Sequence, residues 1–168
     1  MQIRSEQAGD IDAIHAVHAA SFPSDGEARL VDALRAANRL SISLVGLLEG
    51  EVIGHVAFSP VTSFGGEIGL GLAPVAVRSE VRRRGFAERL MRAGLRECEQ
   101  IGCGFVVVLG DPEYYRRFGF APASQWGLKD EYGGGDAFQA MAIGEGPMPG
   151  AGLVCYAPAF AGLDPEDA

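Results

Sequence analysis

Residues 82–87 (RRRGFA) contain three consecutive arginines followed by a glycine. The segment therefore combines positive charge with a residue that allows unusual backbone angles. An apolar, strand-like run precedes it at residues 75–77, and an amphipathic helical pattern with Leu90 and Leu95 follows. The first N–H groups of a helix have no intrahelical partners, and the helix dipole adds partial positive charge there. Such a turn between a strand and a helix is therefore typical of an anion site, and a diphosphate fits it. A solvated arginine cluster before an ordinary helix is the alternative interpretation.

The composition is typical of a soluble globular protein, with 48% hydrophobic residues, 21% charged residues and a net charge of −8. We expect residues 1–168 to form a single domain with its own core. Because the arginines stand against an acidic background, neither a general nucleic-acid binder nor a nucleic-acid partner is expected. The sequence has no signal-peptide pattern and no apolar run of membrane-spanning length, so we expect a cytoplasmic protein without a membrane partner.

Cysteine spacing indicates neither a disulfide framework nor a metal site. Cys98, Cys103 and Cys155 are an odd number and lack CxxC spacing, so no zinc or other metal is predicted. Cys98 and Cys103 are expected to be packing residues near a helix end, because the sequence places no histidine partner beside them.

Apolar periodicity and turn residues predict an α/β domain with a mixed sheet. Helices are predicted over residues 11–20, 27–37, 85–100 and 113–118. Strands are predicted over residues 1–4, 42–49, 51–62, 68–77, 105–109 and 153–156, with another after Gly119. Asp10 is expected to cap the first helix. The glycine-rich segment 124–152 has no clear assignment apart from a turn at residues 133–135.

Two segments resemble signatures of the GNAT superfamily of N-acetyltransferases. Residues 82–87 match its Q/R-x-x-G-x-G/A signature, and residues 114–120 (YYRRFGF) resemble its (F/Y)-Y-x-x-x-G-F segment. The segments VVVLGDPEYYRRFGF and LVCYAPAF resemble the YhbS-like branch of bacterial acetyltransferases, so the resemblance covers almost the whole chain. It implies one GNAT-type domain, classed as α/β or by some schemes α+β. Its twisted sheet would be mixed and mostly antiparallel, with six to seven strands flanked by about four helices.

The resemblance implies acetyl-CoA as cosubstrate and no metal. The pantetheine arm is expected to pair with the backbone of Val75, Ala76 and Val77. The pyrophosphate is expected to bind N–H groups of the turn, which consists of Arg82, Arg83, Arg84, Gly85, Phe86 and Ala87. Gly85 lets the backbone approach the phosphates closely, and the small Ala87, where the family more often has glycine, leaves the helix start uncrowded.

Acetyl transfer to an amine requires a bound thioester, a neutral amine, a polarised carbonyl and a proton for the leaving thiolate. Tyr115 matches the superfamily's tyrosine that donates this proton, and a phenol is a suitable general acid. A packed aromatic ring is the alternative for Tyr115. A backbone N–H near Val77 is expected to polarise the carbonyl. Glu27, His55 and water are the alternatives for the base, although a hydrogen-bonded core residue is the simpler interpretation of His55.

The leading hypothesis is an N-acetyltransferase acting on a small-molecule or peptide amine by direct attack in a ternary complex. A non-catalytic acyl-CoA-binding regulatory module is the alternative. A nucleotide-phosphate enzyme is less favoured because GxxxxGK[ST] is absent. Loops at residues 22–26 and 124–136 are expected to shape acceptor specificity. Trp126 and Phe138 either line the acceptor pocket or, more simply, belong to the core. The acceptor, the use of longer acyl groups and the choice between monomer and homodimer are left open.

Overall fold

The computed structural model describes residues 1–163, which form four α-helices and nine β-strands. The helices are α1 (Ile11–Ser21), α2 (Gly26–Ala36), α3 (Phe86–Gln100) and α4 (Pro112–Tyr115). The strands are β1 (Gln2–Ser5), β2 (Ile42–Leu48), β3 (Glu51–Val61), β4 (Gly69–Val77), β5 (Phe105–Leu109), β6 (Ala121–Pro122), β7 (Leu128–Asp130), β8 (Phe138–Ala142) and β9 (Gly152–Val154).

Seven strands form one sheet in the order β1-β2-β3-β4-β5-β8-β6. The pairs β1/β2, β2/β3, β5/β8 and β6/β8 are antiparallel, whereas β4 and β5 are parallel. Strands β7 and β9 pair in parallel in a separate two-stranded sheet. The predicted fold class is confirmed, namely an α/β chain with a mixed, mostly antiparallel sheet of seven strands and four α-helices.

The chain divides into two compact units, each built from separate stretches of sequence. The first unit contains residues 1–58, residues 73–94 and the described residues from 158 onward, and the second contains residues 59–72 and 95–157. A buried apolar cluster lies in the first unit, where α1, α2, β2, β3 and β4 contribute Ile14, Val17, Val31, Val45, Leu47, Val52 and Ala76.

Strand β5 is the buried centre of the second unit. Its residues Phe105, Val106, Val107 and Val108 are at most 1% exposed. A continuous apolar run is typical of a strand covered on both faces, and the prediction made from this run is confirmed for residues 105–108, whereas Leu109 at the end of the strand is exposed.

Asp10 takes the expected position before α1, but its predicted capping role is wrong. Its carboxylate makes no capping hydrogen bond to α1. Instead it accepts hydrogen bonds from the Arg4 guanidinium, at 2.6 and 3.1 Å, and from the Gln7 N–H at 2.7 Å. The bidentate ion pair with Arg4 lowers the pKa of Asp10, chiefly through its hydrogen bonds. Asp10 therefore links β1 to the residues that precede α1.

The C-terminal part of the second unit departs most from the sequence-based expectation. The predicted helix over residues 113–118 is α-helical only to Tyr115 and continues as a 3₁₀ turn over Arg116–Phe118, which ends at Gly119 with φ of 103°. The last strand spans residues 152–154 instead of the predicted 153–156, and Cys155 forms an isolated antiparallel bridge with Thr62 outside it. Strands β7 and β8 lie in the segment for which the sequence has no clear assignment.

Candidate active site

The turn at residues 82–87 combines two left-handed backbone conformations with the start of α3. Arg83 has φ of 61° and Gly85 has φ of 76°. Successive backbone N–H groups in a tight turn can face one concave side, where an anion binds. A methyl group on Gly85 would meet nothing within 4 Å, so the space above this residue is open. The backbone angle at Gly85 favours glycine, and the open space lets a ligand approach the backbone.

Helix α3 begins directly after this turn and adds further N–H donors. The carbonyl of Gly85 accepts the first helical hydrogen bond from the Arg89 N–H at 3.0 Å. The N–H groups of Phe86, Ala87 and Glu88 therefore stand in the first helical turn, where intrahelical acceptors are lacking. The helix is anchored by the buried residues Leu90 and Met91 on its inner face. These donors and the helix dipole together favour an anion.

Arg82 connects the turn to the end of β4. Its Nε–H donates a hydrogen bond to the Val77 carbonyl at 3.1 Å, and the Ser21 hydroxyl approaches the same oxygen at 3.4 Å. Arg83 and Arg84 are exposed. Arg82 therefore helps to shape the turn, and Arg84 is the arginine of the run whose charge is most easily tested without changing a backbone contact.

Strand β4 extends well past its pairing with β5. The parallel register joins Gly69 with Phe105, Leu70 with Val106 and Gly71 with Val107. Strand β4 then continues to Val77. Because residues 75–77 follow the last registered pair with β5, their backbone groups on that side of the strand suit pairing with an extended ligand. The prediction for Val75, Ala76 and Val77 requires such an arrangement.

Tyr115 lies in the second unit at the end of α4. Asp111 stands directly before this helix, and its side chain accepts a hydrogen bond from the Glu113 N–H at 3.0 Å. The Tyr115 ring meets the rings of Tyr114 and Phe120 edge-on, with centroid distances of 5.1 and 5.8 Å. Burial, and to a lesser extent Tyr114, raises the pKa of Tyr115 to about 12. Its phenol therefore keeps its proton throughout the neutral range.

Two buried histidines form a hydrogen-bonded chain in the first unit. His18 Nε2 lies 2.8 Å from His55 Nδ1, and His55 Nε2 lies 2.7 Å from the Ser43 hydroxyl. Both imidazoles are fully buried. Burial lowers the pKa of His18 to about 4 and holds the pKa of His55 well below its usual value. His55 is thus a hydrogen-bonded core residue, the simpler of the two interpretations drawn from the sequence.

The pairing of His18 with His55 is a feature that sequence reasoning missed. The apolar periodicity of α1 places His18 on the buried face, but its partner lies 37 residues away on β3. The sequence signal for this pair is weak: it consists only of two histidines, His18 and His55, at positions predicted to be buried. The acidic candidate for the base, Glu27, is 4% exposed in the first turn of α2.

The loop at residues 124–136 is organised by its own carboxylates. Asp130 accepts a hydrogen bond from the Tyr132 N–H at 3.1 Å, and Glu131 accepts one from the Tyr156 N–H at 2.9 Å. The Tyr132 and Tyr156 rings lie 6.3 Å apart, and burial strongly raises the pKa of Tyr156. Acidic and aromatic groups therefore gather in the loop that we expect to influence acceptor choice.

Several residues have the structural roles predicted for them. Cys98 and Cys103 are buried, and the Cys103 thiol donates to the Phe105 carbonyl at 3.0 Å. The hydrogen bond with Cys103 and burial raise the pKa of Cys98, which keeps it a thiol. Phe138 is a core residue at 1% exposure, whereas Trp126 is half-buried at the end of a 3₁₀ turn.

Residues 1–163 contain neither a cluster of metal ligands nor a membrane-spanning helix. Within this range, no group of three or more His, Cys, Asp or Glu side chains is arranged to hold a metal ion. None of the helices in the same residues is long and apolar enough to cross a membrane.

Comparison with known proteins identifies the family. Residues 2–123 match the family model described as an acetyltransferase (GNAT) domain. The chain belongs to the GNAT family. It is also 41% identical over 160 residues to the uncharacterized N-acetyltransferase YhbS of Escherichia coli K12, covering 93% of this chain and 96% of YhbS. The predicted family and the predicted enzyme class, an acyltransferase, are confirmed.

Solved GNAT structures resemble this one closely. A crystal structure of E. coli YhbS in complex with CoA has a TM-score of 0.89 at 39% identity, covering 95% of this chain and 91% of that one. A GNAT acetyltransferase from Brucella melitensis in complex with acetyl-CoA has a TM-score of 0.78 at 38% identity, covering 95% of this chain and 97% of that one.

The GNAT site residues predicted from the sequence fall into two groups. The turn at residues 82–87 and the end of β4 belong to the first unit, where Arg82 joins them through the Val77 carbonyl. Tyr115 belongs to the second unit. Each group has local geometry that suits its expected role, a turn whose backbone could accommodate an anion in one and a neutral phenol in the other.

Proposed function

We propose that this GNAT protein transfers the acetyl group of acetyl-CoA to a primary amine by direct attack in a ternary complex. The turn at residues 82–87 is the feature that supports this proposal most directly, because its backbone suits a diphosphate. The YhbS complex with CoA and the Brucella complex with acetyl-CoA provide further support. The acceptor is a small-molecule or peptide amine.

The backbone geometry of the first unit supports the proposed donor site. The pyrophosphate binds N–H groups of the turn and of the first turn of α3. The pantetheine arm lies along Val75, Ala76 and Val77, where β4 has passed its register with β5. Arg84 adds positive charge at the exposed rim of the turn, which strengthens anion binding in a protein of net charge −8.

Tyr115 donates a hydrogen bond, and then a proton, to the leaving thiolate of CoA. As the amine nitrogen bonds to the carbonyl carbon, the carbon–sulfur bond breaks, the nitrogen loses a proton and the sulfur gains one. A simple thiol has a pKa of about 8.5, below that of Tyr115. The phenol therefore acts first as a hydrogen-bond donor that stabilises the developing thiolate. As the thiol product forms, the phenol proton passes to sulfur, the amine proton passes to the base, and the phenolate is reprotonated from solvent.

The remaining groups activate the acceptor and the carbonyl. A backbone N–H near Val77 polarises the thioester carbonyl, as in an oxyanion hole. The amine must be neutral before it attacks. Because His55 is enclosed by its bonds to His18 and Ser43, Glu27 or water is the favoured base.

We also propose a domain organisation, a cellular location and an oligomeric state for the enzyme. Residues 1–168 act as one GNAT domain, a proposal supported by the alignment of 93% of the chain with YhbS. The protein works in the cytoplasm as a monomer or homodimer, without nucleic-acid or membrane partners.

A thiol-release assay with acetyl-CoA and a panel of amines tests the proposed function. Small metabolite amines, aminoglycosides and peptides with free amino groups represent the acceptor classes. Amine-dependent release of CoA and a product heavier by one acetyl group are the expected results. Tight CoA binding by calorimetry without transfer to any amine would instead favour the regulatory module.

A further inference from the structure

Gly110 is held on both sides by backbone and side-chain hydrogen bonds within the second unit. Its N–H donates to the Ala137 carbonyl at 3.0 Å. Its carbonyl accepts a hydrogen bond from the side-chain amide of Gln139 at 3.2 Å, and Gln139 is only 1% exposed on β8. Because both backbone groups of Gly110 are engaged, this residue is fixed in place directly before Asp111 and α4.

The ring of Tyr115 lies directly against the α-carbon of Gly110. A methyl group added to Gly110 would overlap Cε2 of the ring and lie 3.0 Å from Cδ2 and 3.4 Å from Cζ, the carbon that bears the hydroxyl. The φ of Gly110 is not in the left-handed region, so its backbone angle does not require glycine. The absence of a side chain is what allows the ring to occupy this position.

The other contacts of Tyr115 leave its ring little freedom to move aside. Its N–H donates to the Asp111 carbonyl at 3.1 Å, which fixes its backbone at the end of α4. The rings of Tyr114, Phe118 and Phe120 surround it with centroid distances between 5.1 and 6.1 Å. A larger residue at position 110 would therefore displace the ring and with it the hydroxyl.

We propose that Gly110 is a positioning residue that sets the location of the Tyr115 hydroxyl for proton donation. This inference rests on the proposed function, in which Tyr115 serves the leaving thiolate. A proton donor must lie within hydrogen-bond reach of its target, and a displacement of about 1 Å can lower a rate by about a hundredfold.

A double-mutant cycle tests the inference. Gly110→Ala is expected to lower kcat by about a hundredfold while leaving the KM for acetyl-CoA within about twofold. In a Tyr115→Phe background, which keeps the ring but lacks the hydroxyl, the same change should have almost no further effect. Gly150→Ala is the matched control, because a methyl group there meets nothing within 4 Å and its φ is also outside the left-handed region.

A loss of activity that persists in the Tyr115→Phe background would overturn the inference, as would full activity of Gly110→Ala. NMR of protein labelled at tyrosine provides a readout independent of turnover, with Tyr115→Phe assigning the signal. The Tyr115 signal should shift in Gly110→Ala and stay unchanged in Gly150→Ala. If Tyr115→Phe were fully active, the acid role would fail while the NMR shift still tested the positioning.

A stability measurement covers the case in which Gly110→Ala does not fold. Adding Tyr115→Ala removes the ring that the new methyl group would meet and should restore folding. Failure to restore it would show that the damage does not come from this contact, and the inference would be wrong.

Discussion

Tyr115 shows how the surroundings of one side chain set its protonation state. Aromatic rings pack around it and burial raises its pKa to about 12, so the group is protonated across the working range of an enzyme. A group that stays protonated can donate without any preceding uptake of a proton. The pH dependence of the reaction should therefore reflect the amine and its base.

Tyr115→Phe should lower kcat for acetyl transfer by about a hundredfold or more, because general acid catalysis contributes on this scale. The KM for acetyl-CoA should change little, since the hydroxyl is expected to act on the leaving sulfur. Initial rates of thiol release at varied acetyl-CoA concentration measure both constants.

Tyr114→Phe is the matched control for this change. It removes the neighbouring hydroxyl from the same short helix and should keep activity within about threefold of the unmodified enzyme. Equal activity of Tyr115→Phe and the unmodified protein would contradict the acid role.

At the scale of secondary structure, the feature most relevant to the proposed function is the turn at residues 82–87 together with helix α3. Arg82 is engaged with β4, Arg83 has a left-handed backbone and Gly85 closes the turn. The three consecutive arginines therefore have different surroundings. Their charges should contribute unequally to donor binding.

Arg84→Glu should weaken CoA binding by about tenfold or more, because it places a negative charge beside a proposed diphosphate site. The midpoint of thermal unfolding should change by only a few degrees, since Arg84 is exposed. Isothermal calorimetry with CoA and thermal unfolding measure the two effects.

Arg96→Glu provides the same change of charge on an exposed residue farther along α3. It should reduce the affinity much less than Arg84→Glu does. Equal affinities of both variants would argue that net charge, rather than the turn, governs CoA binding.

The predictability of the elements depended on how local their signals are. The run at residues 105–109 and the amphipathic pattern of α3 are local, and both elements were predicted correctly. Strand β8 was missed because glycines surround it and its pairing with β5 and β6 is remote in sequence. The capping prediction for Asp10 is wrong because its carboxylate binds the Arg4 guanidinium instead of the N–H groups of α1.

The same distinction between local and remote signals applies to the candidate site. The turn and Tyr115 lie in contiguous motifs, so their positions could be named from the sequence. The contact of Gly110 with Tyr115 and the link from Arg82 to Val77 depend on three-dimensional packing. No residue pattern reports such contacts.

At the scale of the whole molecule, the buried histidine pair makes folding sensitive to mild acid. The unfolded chain takes up protons on histidine near pH 6.5, whereas native His18 has a pKa of about 4. Between these values the unfolded state binds more protons, so stability falls as the pH falls. His55 acts in the same direction because its pKa is also lowered.

The free energy of unfolding should fall by about 2 kcal/mol on account of His18 between about pH 7.5 and pH 5. His18→Gln should reduce this dependence on pH, even though it alters a buried contact. Urea denaturation at both pH values measures the difference.

His15→Gln is the control, because His15 is partly exposed and pairs with Asp32 at 2.7 Å. The His15 variant should retain most of the acid sensitivity. If His18→Gln lost as much stability on acidification as the unmodified protein, His18 would not be a source of the acid sensitivity.

The hydrogen bond from Arg82 to the Val77 carbonyl has a consequence for the proposed donor site. It joins the place where a diphosphate would bind to the strand along which a pantetheine arm would lie. If CoA binds as proposed, these two contacts lie at a fixed spacing. A thioester would then reach its reactive position only when the arm between phosphate and sulfur matches that spacing.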